Sequence, residues 1–221
     1  YDFSKFIKQQ QVIVVTINYR LGPMGWFTHP AIQGLQNGID KTSNFGTLDI
    51  IQALRWVQNN ITEFGGDSDN VTIFGESAGG HNVLSLLSSP ISNGLFHKAI
   101  SQSGYTTTFT LKEAFGSDLN GDTVNELGSD LVLSQNDLSG YGSIKKLYME
   151  DPLKYGKEFQ RYLRSIDGKD LFNAYNKISD DTFDRLPLLT RDGIVLHING
   201  MRAGLVASKN KKNIPVIAGS N

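Results

Sequence analysis

One short segment limits the folds open to this chain more than any other. The pentapeptide Gly-Glu-Ser-Ala-Gly at residues 75–79 follows an apolar run at 71–74 and precedes an amphipathic stretch that ends at Pro90. This order predicts a strand, a sharp turn and a helix, with Ser77 at the apex of the turn. The turn brings Gly75 and Gly79 close together, and we expect only glycine to fit at both positions.

The same turn would place useful chemical groups at one point. A serine on a strand-to-helix turn projects its hydroxyl above the sheet, which makes Ser77 a candidate nucleophile. The helix that follows directs its free N–H groups and the positive end of its dipole toward the space where an oxyanion would form. The backbone N–H of Ala78 is therefore a candidate oxyanion donor.

Strand-like and helix-like segments alternate in the first half of the chain. Residues 12–19 form a continuous β-branched run, which predicts a central strand buried on both faces. An apolar stripe at helical spacing predicts a helix after it, through Ile50, Leu54, Val57 and Ile61. Residues 98–103 predict a further strand. Strands separated by helices imply parallel βαβ units, so we expect an α/β fold with a mostly parallel sheet flanked by helices.

The second half of the chain has a different pattern. Between residues 105 and 189, helix-like segments follow one another without clear strands, at 123–133, 142–149, 158–166 and 170–178. They predict a helical excursion from the sheet, within a single domain that spans residues 1–221. Two interpretations stay open, a cap over an active site and a peripheral helical layer. The apolar run at 215–219 predicts a buried strand that returns the chain to the sheet.

Composition removes several classes of function. The chain has 21 Lys and Arg against 22 Asp and Glu, a net charge of −1, which argues against nucleic-acid binding because such proteins usually carry a clustered basic surface. No apolar run is long enough to form a transmembrane segment. Cysteine is absent, so disulfides, thiolate metal sites and cysteine nucleophiles are excluded.

Residues 12–105 resemble the type-B carboxylesterase family, the cholinesterase-like branch of the α/β hydrolases, in its bacterial form. The resemblance rests on blocks in a fixed order: Asn-Tyr-Arg-Leu-Gly at 18–22, Asn-Phe-Gly-Thr-Leu-Asp at 44–49, Ala-Leu-Arg-Trp-Val at 53–57, Phe-Gly-Gly-Asp at 64–67, the eleven residues 70–80 around Ser77, and Gln-Ser-Gly at 102–104. It is weak from 105 to 189. Residues 191–193 and 215–221 are similar to the next recognisable pieces of the family.

The resemblance implies an activity. It implies a carboxylic ester hydrolase of the α/β-hydrolase fold, in which Ser77 forms an acyl-enzyme and Ala78 contributes to the oxyanion hole. The expected partner is a small-molecule carboxylic ester, with no cofactor and no metal. The oligomeric state is not determined by these features. The resemblance favours a secreted or periplasmic compartment without fixing it.

Four more residues receive roles from the resemblance. Glu76 matches a buried acidic neighbour that shapes the electric field at the nucleophile. Ser103 matches a hydroxyl close to the catalytic acid and histidine. Arg20 and Asp49 match a structural ion pair between the loop after the first strand and the following helix.

The resemblance also predicts what this chain lacks. In the family, a Gly-rich oxyanion segment precedes the first strand, and the triad acid and histidine follow the turn at 219–221. We therefore expect an internal fragment, incomplete at both ends, that holds one triad member of three and is inactive by itself.

Two other interpretations compete with this one. An internal triad would use His197 as the base and Asp184 or Asp192 as the acid, in the chain order of this fold. His81, one turn beyond Ser77, is expected to support or pack near the site. A non-catalytic adhesion module is the competing class of function, and the retention of Ser77 within an intact turn favours the enzyme.

Overall fold

The computed structural model describes residues 3–117, 123–125, 127–136, 138, 140–177, 189–207 and 212–220. In the first half the elements are α1 (Ser4–Gln9), α2 (Gly22–Gly25), α3 (Pro30–Gln33), α4 (Phe45–Asn60), β1 (Thr72–Glu76), α5 (Ala78–Ser88) and β2 (Lys98–Gln102). In the second half they are α6 (Leu111–Phe115), α7 (Ser129–Gln135), α8 (Tyr141–Glu150), α9 (Pro152–Ser165), α10 (Gly168–Asn176), α11 (Met201–Val206) and β3 (Val216–Gly219). Short 3-10 turns lie at Gly38–Lys41, Ile61–Phe64 and Pro90–Ser92.

The described strands form one parallel sheet in the order β1-β2-β3. Gly75 of β1 lies opposite Ser101 of β2, which lies opposite Ala218 of β3. The strands predicted at 71–74, 98–103 and 215–219 are present, and helices lie between them in the chain. The prediction of an α/β fold with a parallel sheet is confirmed.

The main core lies between the sheet and helices α4 and α5. The predicted stripe on α4 is buried, and the helix begins at Phe45, earlier than the stripe itself. Strand β1 alternates, with Ile73 and Gly75 buried on the side of α5 and their neighbours exposed. The buried apolar residues that meet here are Ile50, Ile51, Leu54, Ile73, Val83, Leu86, Leu87, Phe96 and Ala99. This layer fixes the position of α5 against β1 and β2.

The strand predicted at 12–19 does not form part of the described sheet. These residues pair with no other strand of the described structure, and Val12, Ile13, Val15 and Ile17 are 38–45% exposed. The prediction of a buried central strand is wrong here, because β propensity becomes a strand only where a neighbour supplies hydrogen bonds and cover. The strand β3 was also predicted to be buried, yet all four of its residues are exposed, since β2 is its only described neighbour.

The helical excursion is present with shifted boundaries. The segment predicted at 123–133 is helical only from Ser129, where Gly128 packs directly on Gly116 and ends the preceding turn. Helix α9 begins at Pro152, earlier than predicted, because Asp151 caps it through a 3.1 Å hydrogen bond from the Lys154 N–H. The end predicted for the last segment, at 178, lies outside the described residues. Helices α6 and α11 were not predicted.

The second core joins these helices to the chain around α3. Phe27 and Ala31 pack against Leu133, Tyr141, Ile144, Phe159 and Leu163 of helices α7, α8 and α9. The described helices therefore lie against the segment that follows residues 12–19. Whether they cap the active site stays a prediction.

A buried charged group fastens this helical layer. The Asp130 side chain is 1% exposed and accepts hydrogen bonds from Tyr141 Oη, Lys145 Nζ and Ser117 Oγ, each at 2.7 Å. Burial raises the pKa of Asp130, but these hydrogen bonds outweigh it and hold the pKa below its usual value. Removal of Lys145 would leave the buried carboxylate without its cationic partner, which is among the more costly changes in a protein core.

His29 links the same network to α3. Its Nδ1 accepts a hydrogen bond from the Ala31 N–H at 3.2 Å, so the ring proton is on Nε2, 3.2 Å from Tyr141 Oη. Burial lowers the pKa of His29 to about 3. The ring is therefore neutral at physiological pH, and its protonation is incompatible with this core.

We expect acid to destabilise the fold through His29. The unfolded chain binds a proton at this residue near pH 6.5 and the folded chain only near pH 3, so stability falls as the pH drops through this window. Within this window, His29 lowers the free energy of unfolding by about 1.4 kcal/mol for each unit that the pH falls. In urea unfolding at pH 7.0, 5.5 and 4.5, His29→Gln is expected to lose this part of the slope, whereas His97→Gln keeps it. An unchanged slope in His29→Gln would refute the assignment.

Candidate active site

The turn between β1 and α5 has the backbone geometry that the sequence predicts. Ser77 has φ 53° and ψ −115°, and in the described chain only Ser103 shares a positive φ among non-glycine residues. Such a conformation costs on the order of 1–3 kcal/mol and persists only where the surroundings enforce it. Strain of this kind at a half-buried serine marks a candidate functional position.

Two backbone hydrogen bonds hold Ser77. Its N–H donates to the Gln102 carbonyl of β2 at 2.9 Å, and its own carbonyl accepts from the His81 N–H at 2.9 Å. The Ser77 side chain makes no capping hydrogen bond to the start of α5. The hydroxyl is therefore not engaged in a hydrogen bond to the N-terminus of the helix that follows it.

The flanking glycines are not equivalent. A Cβ atom on Gly75 would lie 2.4 Å from the backbone carbon of Gly79, so a side chain there must displace the turn. A Cβ on Gly79 would meet no described atom within 4 Å apart from its chain neighbours and the backbone of its own helix. The prediction that both positions require glycine is right for Gly75 and wrong for Gly79, because the Cβ direction at Gly79 points away from the turn.

Ala78 begins α5 and lies at the surface. The first N–H groups of a helix have no partner within the helix, and they carry its partial positive charge. The Ala78 N–H belongs to this set and directly follows Ser77. A negative oxygen bonded next to Ser77 would therefore meet a favourable field.

Glu76 does not take the predicted position. The sequence predicts a buried acidic neighbour of Ser77, but Glu76 is exposed in the structure. The alternation of β1 explains this, because Thr72, Phe74 and Glu76 share the face of the sheet that turns away from α5. The ring of Phe3 contacts Phe74 on that face, with 5.6 Å between ring centroids.

Ser103 lies at the end of β2, beside the serine turn. Its N–H donates to the Gly219 carbonyl at 2.7 Å, and its φ is 51°. The carboxyl ends of parallel strands share one edge of the sheet, and ligands of α/β proteins bind at this edge. Ser77 and Ser103 both occupy it.

Arg20 and Asp49 form a bidentate ion pair. The guanidinium donates to the two carboxylate oxygens at 2.8 and 2.7 Å, and the Arg20 N–H adds a third bond at 3.0 Å. The hydrogen bond from Arg20 holds the pKa of Asp49 below its usual value. An exposed pair of this kind contributes about 0–1 kcal/mol, so its main effect is to orient the chain after residue 19 against α4.

The structure does not bring together the residues of an internal triad. The Asp192 carboxylate already accepts five hydrogen bonds, from the Thr42 hydroxyl, the Asn44 amide and three backbone N–H groups at 194–196. Gly204 packs against both His197 and Ser88, because a Cβ added to Gly204 would lie 3.3 Å from the His197 Cβ and 3.0 Å from the Ser88 Cβ. His197 therefore lies beside the last turn of α5. Ser77 is at the other end of this helix, about 15 Å away. Asp184 lies outside the described residues.

One pair near the turn had no specific role in the sequence reasoning. His81 is 2% exposed, its ring stacks on that of Tyr105 with 4.0 Å between centroids, and Nδ1 lies 2.6 Å from the Tyr105 carbonyl. Burial lowers the pKa of His81, so the ring is neutral. The sequence signal was the placement of a histidine one helical turn after Ser77. The contact with Tyr105 depends on the packing of β2 and was not visible.

Metal-binding clusters and membrane-spanning helices are absent from the described residues. No group of three or more His, Asp and Glu side chains in this part of the chain could hold a metal ion. None of its helices combines the length and the apolar character that a bilayer crossing needs.

The inequality of the two glycines gives a matched test. We expect Gly75→Ala to destabilise the protein by about 1–3 kcal/mol, the usual cost of forcing an atom into a packed site. Gly79→Ala should change stability by less than about 1 kcal/mol, because its Cβ is unobstructed and alanine favours a helix. Denaturant unfolding of both variants measures the difference. Equal losses would show that the close approach of Gly75 to Gly79 is not a constraint.

Known esterases are similar in sequence to about half of this chain. The chain is 49% identical over 114 residues to a para-nitrobenzyl esterase of Bacillus subtilis, a match that covers 52% of this chain and 22% of that protein. It is 53% identical over 104 residues to a human cocaine esterase, covering 47% of this chain and 17% of that protein. The chain thus aligns with about a fifth of the length of these relatives.

Solved structures extend the similarity to the whole chain. A PNB esterase matches with a TM-score of 0.69 and 29% identity, over 100% of this chain and 41% of that one. A carboxylesterase of Geobacillus stearothermophilus matches with a TM-score of 0.75 and 30% identity, over 100% of this chain and 40% of the other. The model of the family described as "Carboxylesterase family" matches residues 1–221. The chain therefore belongs to the carboxylesterase family.

Proposed function

We propose that the protein hydrolyses small carboxylic esters and that Ser77 is its nucleophile. The observation that carries the proposal is the strained turn at Ser77, whose hydroxyl is not bound to the helix, in a chain that belongs to the carboxylesterase family. Family membership supports ester hydrolysis. The assignment of the reaction to this serine is our proposal, supported by the backbone geometry.

The mechanism follows from the groups at the turn. The Ser77 Oγ attacks the ester carbonyl carbon, and the carbonyl oxygen becomes an oxyanion in a tetrahedral intermediate. The Ala78 N–H, at the positive end of α5, donates a hydrogen bond to that oxygen. The alcohol leaves with a proton, an acyl-enzyme forms, and water then releases the carboxylic acid and restores the serine hydroxyl.

The reaction needs a base, which we propose comes from outside these 221 residues. All four histidines of the chain are described, and each has ring contacts elsewhere: His29 with Ala31 and Tyr141, His81 with Tyr105, His97 with Val71, and His197 with Asn199. None of the four imidazole rings has a hydrogen bond to Ser77; His81 reaches it only through its backbone N–H. A serine without the histidine and acid loses several orders of magnitude in rate, so these residues alone should be nearly inactive.

The proposal extends to the class of substrate and no further. The similar proteins are named as esterases of para-nitrobenzyl, cocaine and fumonisin B1 compounds, which are chemically diverse. Their names share only the ester bond. We propose a small-molecule carboxylic ester, without a preference for one acyl or alcohol group.

Labelling with a fluorophosphonate tests the nucleophile. This reagent phosphonylates activated serines, so the natural protein that contains these residues should label at Ser77, and Ser77→Ala should not label. Ser103→Ala is the matched control, because Ser103 is also a serine with positive φ at the end of a parallel strand. It should still label at Ser77.

Two outcomes would contradict parts of the proposal. Labelling of Ser77→Ala at the rate of the unmodified protein would exclude Ser77 as the nucleophile. Labelling of the 221 residues alone at the rate of the natural protein would show that the base is internal. Both are read by intact mass, followed by mapping of the modified peptide.

A further inference from the structure

The first turn of α5 is tied to the loop that follows β2. The Ser101 hydroxyl donates to the Gly80 carbonyl at 3.1 Å, and the Ser77 N–H donates to the Gln102 carbonyl at 2.9 Å. A Cβ on Gly80 would lie 2.9 Å from the Gly104 Cα, so the two backbones are in direct contact. A shift of residues 102–105 would therefore change the position of Ser77.

His81 adds a side-chain hydrogen bond from α5 to the end of that loop. Its ring lies on the ring of Tyr105 at 4.0 Å with an interplanar angle of 20°, and Nδ1 is 2.6 Å from the Tyr105 carbonyl oxygen. A carbonyl can only accept, so the ring proton must be on Nδ1. The histidine acts here as a donor to the backbone of the loop.

The other ring nitrogen has no comparable role. Nε2 of His81 is buried and has no hydrogen-bond partner within the described residues. In this tautomer it carries a lone pair and no proton. If packing were the only role of residue 81, a phenyl ring would fill this space without burying an unpaired polar atom. It would therefore avoid the free-energy cost of the buried Nε2.

We propose that His81 is a positioning residue for Ser77, acting through the hydrogen bond from Nδ1 to the Tyr105 carbonyl. This bond holds residues 102–105 against the first turn of α5. The loop in turn holds the Ser77 N–H and the neighbouring Ala78 N–H in place. The inference rests on the proposed function, since it assigns His81 to the same serine.

Two conservative replacements distinguish the roles of the two ring nitrogens of His81. The amide nitrogen of asparagine can occupy the place of Nδ1, and that of glutamine the place of Nε2. His81→Asn should therefore keep the donor to Tyr105, whereas His81→Gln and His81→Phe should lose it. A role in packing alone predicts a different order, with phenylalanine, which is closest in shape, retained best.

Ester turnover by the natural protein is the first measurement. In His81→Gln and His81→Phe we expect kcat to fall about tenfold, the effect of one lost hydrogen bond. KM should stay within about threefold, because the groups that bind the ester are untouched. His81→Asn should keep kcat within about threefold of the unmodified protein. Ser77→Ala, measured alongside, should have no activity.

Hydrogen exchange of the peptide that contains residues 102–105 is the second measurement, and it does not depend on turnover. Exchange should become faster in His81→Gln and His81→Phe and stay unchanged in His81→Asn. If kcat and exchange are unaffected by His81→Gln and His81→Phe, or if phenylalanine preserves both better than asparagine, the inference is wrong. If activity survives in Ser77→Ala, the proposed function is wrong instead.

Discussion

The structure depends on one strained residue, the serine that joins β1 to α5 with a positive φ. An L-residue adopts this conformation only where relieving its strain would cost more free energy, through lost contacts in the surrounding structure, than the strain itself. The surroundings here are a backbone hydrogen bond from Ser77 to Gln102, the close approach of Gly75 to Gly79, and the packing of α5 on two strands. This turn ends β1 and starts a helix at the next residue, and the serine side chain makes no capping hydrogen bond to that helix. A candidate nucleophile and a candidate oxyanion donor thus follow from one turn.

Much of this could be predicted from the sequence, because the determinants are local. A glycine two residues before a serine, an apolar run before it and a helical stripe after it specify β1, the turn and α5. The apolar stripe on α4 likewise predicts its own burial against the sheet. For these elements the apolar pattern could be tested, because the residues that cover it are also part of the described structure.

The predictions that failed depend on partners that local pattern does not contain. Residues 12–19 have the composition of a buried strand, but burial requires a neighbouring strand, and none pairs with them in the described structure. Glu76 is exposed because the face of β1 that carries it turns away from α5. The carboxylate of Asp192 serves three backbone N–H groups of its own loop, a role that a search for a catalytic acid could not foresee. The same holds for His81, whose partner Tyr105 becomes a neighbour only when β1 and β2 pair.

The crystal structure of the natural protein after reaction with a phosphonate tests the central claim most directly. The account predicts a bond from phosphorus to the Ser77 Oγ, and a phosphoryl oxygen about 2.7–3.1 Å from the Ala78 nitrogen. Ser77 should keep its positive φ in the adduct. An adduct on another residue, or one whose phosphoryl oxygen points away from the Ala78 N–H, would contradict it.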